Sequence, residues 1–319
     1  MDHLVLCPGS RSGPFALAAA ALSKFNNLEV TTCIDERSAA FFGLGISTAK
    51  GKATVVVTTS GTAVAHLLPA AIEADRSTQP ILFITADRPK RLKDCGSNQT
   101  VNQEDFLSSV CRHFWNGPED GLHLLNNSDL NNFVKTSWYL AHDFPGPVHL
   151  NIPLEEPLHS SFEDQSRIYK SFFESKNLSI QNNIDSSIHL DEDNDLIPLP
   201  LVDPTSPGIV IVGPWRGLSE NLVAYQAALK RWQSVTGWPV FADPLSAISS
   251  DQPGLIDSWE LLISSGSLES ETKLQVLRLG PMPSSRFLNN WLLSIGNKQL
   301  LITEGDKRNL DPLHLSNQW

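Results

Sequence analysis

The sequence predicts an α/β protein with two doubly wound domains, each built on a parallel sheet. Short apolar runs alternate with longer helical patterns in residues 1–160 and again in residues 206–319. This alternation is typical of βαβ units, in which helices cover both faces of a parallel sheet. Residues 156–206 are instead rich in Ser, Asn, Asp and Pro, so we expect an irregular linker over residues 161–205.

The apolar runs of the first domain predict its strands, because most of them are nearly continuous and end at turn residues. The expected strands are residues 3–7, 29–34, 54–58, 81–85 and 148–152. Helical periodicity in the intervening segments predicts the helices that connect or follow these strands. The expected helices are residues 14–24, 37–49, 62–74, 103–109 and 128–142.

The second domain repeats the alternation over a shorter length. Strands are expected at residues 208–212, 239–242, 274–279 and 300–303, and helices at residues 220–235 and 285–295. A chain of 319 residues is long enough for two domains of ordinary size. The acidic run at residues 191–195 lies in the segment between them and favours a solvated connection.

Composition excludes several classes of function. The formal net charge of −11 argues against a nucleic-acid surface, which needs clustered Lys and Arg, but not against small anionic ligands in a cleft. The 4 cysteines are too scattered for a disulfide framework or a zinc site, and we expect Cys7 and Cys33 to be buried in strand patterns. No apolar run is long enough to span a membrane and no signal peptide begins the sequence, so we expect a cytoplasmic protein.

Polar turns follow three strands of the first domain. They are Pro8-Gly9-Ser10-Arg11-Ser12, Asp35-Glu36-Arg37 and Thr59-Ser60-Gly61-Thr62-Ala63. In an open α/β sheet, ligands bind in the crevice at the carboxyl ends of the strands. The three turns therefore predict a binding site, although an acid such as Glu36 at a helix start also reads as an ordinary cap.

These turns, together with two later motifs, carry a resemblance to a known family. The later motifs are Thr85-Ala86-Asp87-Arg88-Pro89 and Cys95-Gly96-Ser97-Asn98-Gln99. In this order, the five motifs resemble the thiamine-diphosphate enzymes of the 2-succinyl-5-enolpyruvyl-6-hydroxy-3-cyclohexene-1-carboxylate synthase family. The resemblance is strong over residues 4–155 and looser over residues 206–312. It implies that the first domain is the pyrimidine-binding domain and the second the central domain of such an enzyme.

The resemblance also implies roles for individual residues. Glu36 would be the catalytic acid that hydrogen-bonds the aminopyrimidine ring of the cofactor and drives it to the imino tautomer. This role needs a dry carboxyl, which we expect its helix to supply through Ala39, Ala40, Phe41, Phe42 and Leu44. The cofactor-binding residues would be Pro8, Glu36, Gly61 and Thr62. The substrate-binding residues would be Ser10, Arg11, Arg88, Asn98, Gln99 and Arg286.

Simpler structural readings remain open for several of these residues. Arg11 could be a solvated side chain on a turn, and Asp87 and Arg88 could form a local ion pair. Gly61 could serve only the start of a helix. The sequence also departs from the family pattern, because His66 stands where thiamine-diphosphate enzymes commonly carry Asn, and Ser285 replaces a Lys before Arg286.

The implied reaction is thiamine-diphosphate-dependent decarboxylation of 2-oxoglutarate and addition of the succinic-semialdehyde unit to isochorismate, in menaquinone or phylloquinone biosynthesis. The resemblance implies a homodimer or homotetramer and a Mg²⁺ ion held in a third, diphosphate-binding domain. We find no Gly-Asp-Gly…Asn pattern for that domain, and no metal site of our own is predicted. We therefore expect a chain truncated at both ends and inactive by itself.

Two alternatives stay open at this point. The chain could be a non-catalytic, truncated α/β homologue that binds a partner or a metabolite. It could also derive from another thiamine-dependent decarboxylase, such as an acetolactate-type enzyme. The Ser-Arg-Ser, Ala-Asp-Arg and Gly-Ser-Asn-Gln segments favour the first family over this last one.

Overall fold

The computed structural model describes residues 1–25, 28–119, 121–179, 202–268, 274–296, 299–303, 306 and 308–318. The chain divides into two compact units, Met1–Glu192 and Asp193–Trp319. Each unit contains one sheet of parallel strands with helices between them, so the predicted fold class is confirmed. The acidic run at 191–195 lies outside the described residues, and the domain limits at residues 160 and 206 stay predictions.

The first sheet has the strand order β2-β1-β3-β4-β6-β5. Its strands are β1 His3–Leu6, β2 Glu29–Thr32, β3 Thr54–Thr58, β4 Ile81–Asp87, β5 His113–Asn116 and β6 Pro147–Pro153. The apolar runs predicted all of these strands except β5. That strand lies at the sheet edge, where its four residues are at most half-buried, so it lacks the continuous apolar run by which the others were identified.

The helices of the first unit surround this sheet. They are α1 Gly13–Phe25, α2 Glu36–Lys50, α3 Thr62–Ala65, α4 Leu68–Arg76, α5 Asn127–Asp143 and α6 Phe162–Ser179. The single helix predicted at residues 62–74 is wrong, because α3 ends before α4 begins. Pro69 explains the break, since a proline inside a helix removes a hydrogen bond and its ring clashes with the carbonyl four residues earlier.

Two further predictions need correction. Residues 103–109 form only a single 3₁₀ turn, Gln103–Asp105, followed by turns, because so short a segment makes too few hydrogen bonds to offset helix nucleation. The irregular structure expected from residue 161 onward is wrong over α6. The amide N–H of Asp164 donates to the hydroxyl of Ser161 over 3.1 Å, an N-terminal cap that the Ser-x-x-Asp spacing could have indicated.

Two apolar layers cover the faces of the first sheet. Val5 and Val56 face α2 and α4, whereas Leu4 and Val55 face α1 and α5. Adjacent residues thus point to opposite layers, as the alternation of a pleated strand requires. Cys7 is fully buried in the first layer, as the sequence predicted. The sheet is covered on both sides, so its strand ends remain the accessible place for a site.

The second unit has a sheet with the strand order β11-β10-β9-β7-β8. Its strands are β7 Gly208–Val212, β8 Val240–Ala242, β9 Gln275–Leu279, β10 Gln299–Ile302 and β11 Ser316–Gln318. Its helices are α7 Leu222–Thr236, α8 Trp259–Ser264 and α9 Arg286–Ile295. The sequence did not predict α8 or β11, which are six and three residues long, because such short elements carry little periodicity.

A buried ion pair holds β11 in place. Nη1 of Arg278 on β9 donates to Oδ1 of Asp311 over 2.7 Å, and both side chains are almost fully buried. The other carboxylate oxygen of Asp311 accepts from the backbone N–H groups of Leu315 and Ser316. Burial opposes ionisation of this carboxyl, but the hydrogen bonds from Arg278 and Ser316 prevail and hold its pKa below the ordinary range. The register of β11 therefore depends on a contact 33 residues away in sequence.

In the part of the chain that the structure describes, no helix combines the length and the apolar character needed to cross a bilayer.

Candidate active site

The predicted polar turns lie side by side at one edge of the first sheet. Strands β2, β1, β3 and β4 are consecutive neighbours, and all of them run in the same direction. Their carboxyl ends therefore share one edge, and the segments that follow them begin there. This geometry brings the predicted residues of the first domain into one neighbourhood.

Arg11 is a buried cation in the turn after β1. Only 5% of its surface is exposed, and Nη1 donates to the carbonyl of Leu154 over 2.7 Å. Nη2 donates to Oε1 of Glu156, itself largely exposed, over 3.3 Å. Its Nε is buried and has no hydrogen-bond partner among the described residues. The solvated-side-chain reading of Arg11 is therefore wrong, and one donor of the guanidinium is left for a further acceptor. Pro8 and Ser10 in the same turn are exposed.

Arg88 lies close to Arg11 from the end of β4. Its Nη1 donates to the hydroxyl of Ser60, in the turn after β3. Burial lowers the pKa of the Arg88 guanidinium, and the charge of Arg11 lowers it further. Two like charges held near one another favour an anion between or beside them.

The alternative of a local ion pair between Asp87 and Arg88 does not describe this site. The Asp87 carboxylate accepts from Nζ of Lys93 and from Nδ2 of Asn151, each over 2.8 Å. It also accepts from the backbone N–H of Arg88, at 2.7 Å. The Arg88 side chain is directed to Ser60 instead. Asp87 thus shapes the backbone at the end of β4 and leaves the guanidinium available.

Gly61 allows a tight turn after β3. Its φ of 87° falls in the region that favours glycine, and an added Cβ would approach Cγ of Gln99 to 2.8 Å. Nε2 of Gln99 donates to the carbonyl of Ser60 over 2.9 Å. The loop that carries Gln99 therefore rests directly on this turn. The neighbouring candidates Asn98 and Thr62 are exposed.

Glu36 is the first residue of α2, but it is not the cap. Asp35 fills that role, because its Oδ1 accepts from the backbone N–H of Ser38 over 2.9 Å. The half-buried Glu36 carboxylate has no hydrogen-bond or ion-pair partner within the described ranges. Burial, followed by the charges of Glu36, Cys33 and Asp35, raises the pKa of the buried Cys7 thiol to about 12. Glu36 thus lies near the end of β1 with its carboxylate uncommitted.

The surroundings of Glu36 differ in part from expectation. Ala39, Ala40 and Leu44 are buried beneath α2, as expected. Phe41 and Phe42 are wrongly expected to shield the acid, since about half of each side chain is exposed (46% and 48%). Helical periodicity explains the difference, because residues 39, 40 and 44 share the face that packs on the sheet and residues 41 and 42 do not.

A buried polar network behind these turns was missed by the sequence analysis. The side chain of Gln103 accepts from the backbone N–H of Gly61 over 2.8 Å and donates to Oδ1 of Asn151 over 2.8 Å. Asn151 also accepts from the hydroxyl of Thr85, which contacts Nε2 of His149. Burial lowers the pKa of His149 to about 3, so this imidazole is neutral near neutral pH. The polar residues within the apolar strand β6 were the signal that could have revealed this network.

Comparison with known proteins agrees with this arrangement. Residues 1–108 match the family model described as the thiamine pyrophosphate enzyme, N-terminal TPP binding domain. A 2-succinyl-5-enolpyruvyl-6-hydroxy-3-cyclohexene-1-carboxylate synthase of Prochlorococcus marinus (strain MIT 9313) is 59% identical over 323 aligned positions, which cover 100% of this chain and 55% of that protein. The chain is a homologue of these synthases.

Other synthases of the same name show similar coverage. The relative from Synechococcus sp. (strain CC9311) is 53% identical over 319 positions, with 100% of this chain and 55% of that protein aligned. The relative from Synechococcus sp. (strain WH7803) is 50% identical over 318 positions, with 100% and 54% aligned. The chain thus spans about half the length of the synthases it matches.

The residues present fit the pyrimidine end of thiamine diphosphate. A carboxylate without a partner at the start of α2 offers an acceptor for a ring N–H. The absence of a side chain at Gly61 lets a ligand approach the backbone closely. Within the described ranges, no three His, Cys, Asp or Glu side chains are grouped so that they could hold a metal ion. These observations fit the heterocycle, and the described residues offer no such cluster for a metal.

Arg286 belongs to the second unit. It is the exposed first residue of α9, whose N-terminus is capped by Ser285, because the hydroxyl of Ser285 accepts from the N–H of Leu288. The Ser found here in place of the family's Lys therefore has a structural role as a helix cap. The substrate contact of Arg286 stays a prediction.

Proposed function

We propose that this chain forms the pyrimidine-binding and central domains of a thiamine-diphosphate-dependent carboligase. The reaction would be decarboxylation of 2-oxoglutarate and addition of the resulting four-carbon unit to isochorismate, in menaquinone or phylloquinone biosynthesis. The observation that carries the proposal is the pairing of an uncommitted Glu36 carboxylate with two neighbouring arginines at one edge of the sheet. The similarity to synthases of this name supports it.

Glu36 would act on the cofactor by proton exchange. Thiamine diphosphate supplies a nucleophilic carbon that adds to 2-oxoacids and stabilises the charge left by decarboxylation. Glu36 would hold a proton against the pyrimidine ring, and Pro8, Gly61 and Thr62 would line the ring's position. A carboxylate already engaged in a cap or an ion pair would have to break that bond first. Because Asp35 caps the helix, Glu36 is spared that cost.

Arg11 and Arg88 would bind carboxylates of the substrates. Arg11 is fixed by the carbonyl of Leu154 and retains a buried, unsatisfied Nε, whereas Arg88 is fixed by Ser60. Guanidinium groups held in this way make strong, oriented hydrogen bonds to carboxylates. Ser10, Asn98, Gln99 and Arg286 would add further polar contacts to the same substrates.

The diphosphate and its Mg²⁺ would be held outside the residues described. The relatives are longer than the stretch they share with this chain, and the described residues offer no cluster of three metal-binding side chains. We propose that the 319 residues by themselves are inactive. A chain of the relatives' length would supply the remaining ligands.

The proposed enzyme is a homodimer or homotetramer. Ile34, Phe41 and Phe42 lie close to Glu36 in sequence and are exposed, with 86% of Ile34 accessible in the single chain. Exposed apolar side chains near a catalytic acid call for a second subunit, which would exclude water from that acid. The four cysteines are free thiols, and this favours the cytoplasm.

The decisive experiment measures synthase activity in a full-length synthase that carries these residues. Formation of product from 2-oxoglutarate and isochorismate should require thiamine diphosphate and Mg²⁺. If the full-length protein binds these substrates but forms no product, the alternative of a non-catalytic homologue that binds metabolites is correct. If it acts only on other 2-oxoacids, the substrate assignment is wrong.

A further inference from the structure

The peptide group between Ser60 and Gly61 is held at both of its ends. Nε2 of Gln99 donates to the carbonyl oxygen of this peptide over 2.9 Å. Oε1 of Gln103 accepts from its N–H over 2.8 Å. Because a peptide group is planar, two hydrogen bonds at opposite ends fix the orientation of the whole group. Two glutamines four residues apart therefore prevent this turn from flipping.

Gln103 is the anchored member of this pair. Its side chain is fully buried, and Nε2 donates to the carbonyl of Ala86 over 3.0 Å and to Oδ1 of Asn151 over 2.8 Å. One amide group thus joins the turn after β3 to the ends of β4 and β6. Gln99, in contrast, is exposed and is held by a more open loop. The buried amide is the firmer of the two supports, since removing it leaves buried groups unsatisfied.

This arrangement bears on Arg88. The Ser60 hydroxyl that receives Nη1 of Arg88 belongs to the residue whose peptide Gln103 holds. From this geometry we infer that Gln103 is a positioning residue, which orients Arg88 for a substrate carboxylate by fixing the Ser60–Gly61 peptide. The inference rests on the proposed function, because the carboxylate belongs to that proposal. Gln103 itself touches neither cofactor nor substrate.

Amide hydrogen exchange in the 319-residue chain tests the structural step. Gln103→Met keeps the approximate volume of the side chain but removes all three hydrogen bonds. Exchange of the Gly61 amide should become roughly tenfold faster, the effect of losing one net hydrogen bond. The amides of Val56 and Val57 within β3 serve as internal references and should change far less. The matched control is Gln79→Met, which changes an equally buried glutamine before the opposite end of β4 and should leave Gly61 protected.

Kinetics in a full-length synthase carrying these residues test the consequence. Gln103→Met should raise KM for the substrate bound by Arg88 roughly tenfold, with little change in kcat or in exchange of the cofactor thiazolium proton. A purely structural role would lower the active fraction, hence kcat, and leave KM unchanged. Should the Met variant fail to fold, Gln103→Asn tests the same point, because its amide is one carbon too short to span the three partners.

The outcomes separate this inference from the proposed function. A wild-type protein without synthase activity would refute the proposed function. An active wild type whose Gln103 variants keep Gly61 protection and wild-type KM would refute the inference alone. Equal acceleration of Gly61 and β3 exchange, or equal effects of the Gln79 control, would also refute it.

Discussion

Arg11 and Arg88 lie close enough together for the charge of Arg11 to lower the pKa of Arg88, in addition to the larger effect of burial. Both are anchored by neutral oxygens, Arg11 by the carbonyl of Leu154 and Arg88 by the hydroxyl of Ser60. The acid nearest to them, Glu156, is largely exposed and contacts Arg11 at 3.3 Å. An arginine pair so weakly neutralised is suited to bind carboxylates, and it directs the first prediction.

Arg11→Ala and Arg88→Ala should each impair use of the anionic substrates. In a full-length synthase, kcat/KM for 2-oxoglutarate or isochorismate should fall by an amount equivalent to about 2–5 kcal/mol, because a charge-assisted partner is lost from a desolvated cleft. Exchange of the thiazolium proton should stay nearly unchanged. Lysine at either position should rescue only partly, since an ammonium group cannot form the same paired hydrogen bonds.

Arg91→Ala is the matched control for these arginines. Arg91 is exposed and pairs with Glu155 over 2.7 Å on the surface. Removing it should leave kcat/KM within about twofold of wild type, because exposed ion pairs contribute little. Wild-type kcat/KM for both substrates in both alanine variants would exclude Arg11 and Arg88 from substrate binding.

Glu36→Gln should abolish the first chemical step and preserve the fold. An amide still forms a neutral hydrogen bond but cannot exchange a proton with the pyrimidine ring. Single-turnover measurement of thiazolium proton exchange in a full-length synthase checks this directly. A variant that retains most of its turnover would remove Glu36 from the mechanism.

The neighbouring acid gives the contrasting control. Asp35→Ala removes the cap of α2 and should lower the free energy of unfolding by about 1 kcal/mol, with proton exchange at the cofactor largely retained. The pKa of Asp35 is held below its ordinary value by hydrogen bonds from Arg37 and from the Ser38 amide. Two adjacent carboxylates thus separate stability from chemistry. Equal loss of proton exchange in both variants would contradict this division.

The 319-residue chain should not bind thiamine diphosphate tightly. Affinity for this cofactor depends largely on the diphosphate and its metal, and no oxygen-rich cluster for a divalent cation occurs within the described ranges. Titration calorimetry with the cofactor and Mg²⁺ should show no submicromolar binding. Tight binding by this stretch alone would mean that it holds the diphosphate without the longer sequence of its relatives.

Asp311→Ala should destabilise the second unit by about 3–5 kcal/mol, because it leaves the buried charge of Arg278 without its partner. The measurement is denaturant unfolding followed by tryptophan fluorescence. Asp251→Ala is the control, since its pair with Lys230 is largely exposed and contributes little. An equal, small effect of both substitutions would mean that the buried pair does not hold β11.

The same carboxyl predicts a pH dependence. The folded-state pKa of Asp311 lies below its unfolded value, so its contribution to stability is complete above the unfolded pKa, near about 4. That contribution should be lost as the pH falls below this value toward the folded-state pKa. Unfolding free energies of wild type and Asp311→Ala should therefore converge in acid and differ most at neutral pH.

The sequence by itself determined the strand-helix alternation and the order of the polar turns. β3 and β4 are continuous apolar runs that end at turn residues, and hydrophobic burial on both faces allows few other structures for them. Asp35 and Glu36 sit at the junction of a strand and a helix, so their position at the sheet edge also followed from local pattern. These features depend on residues close in sequence, where propensity and periodicity act directly.

Only the tertiary structure decided which polar groups meet at that edge. Arg88 reaches Ser60 across 28 residues, and Gln103 reaches Gly61 across 42. The capping of α2 by Asp35, which leaves Glu36 uncommitted, depended on backbone geometry that either acid could have served. Hydrogen bonds between distant segments carry no periodic signature, because they depend on how strands are ordered within the sheet. The pattern therefore located the site, and the strand order determined its partners.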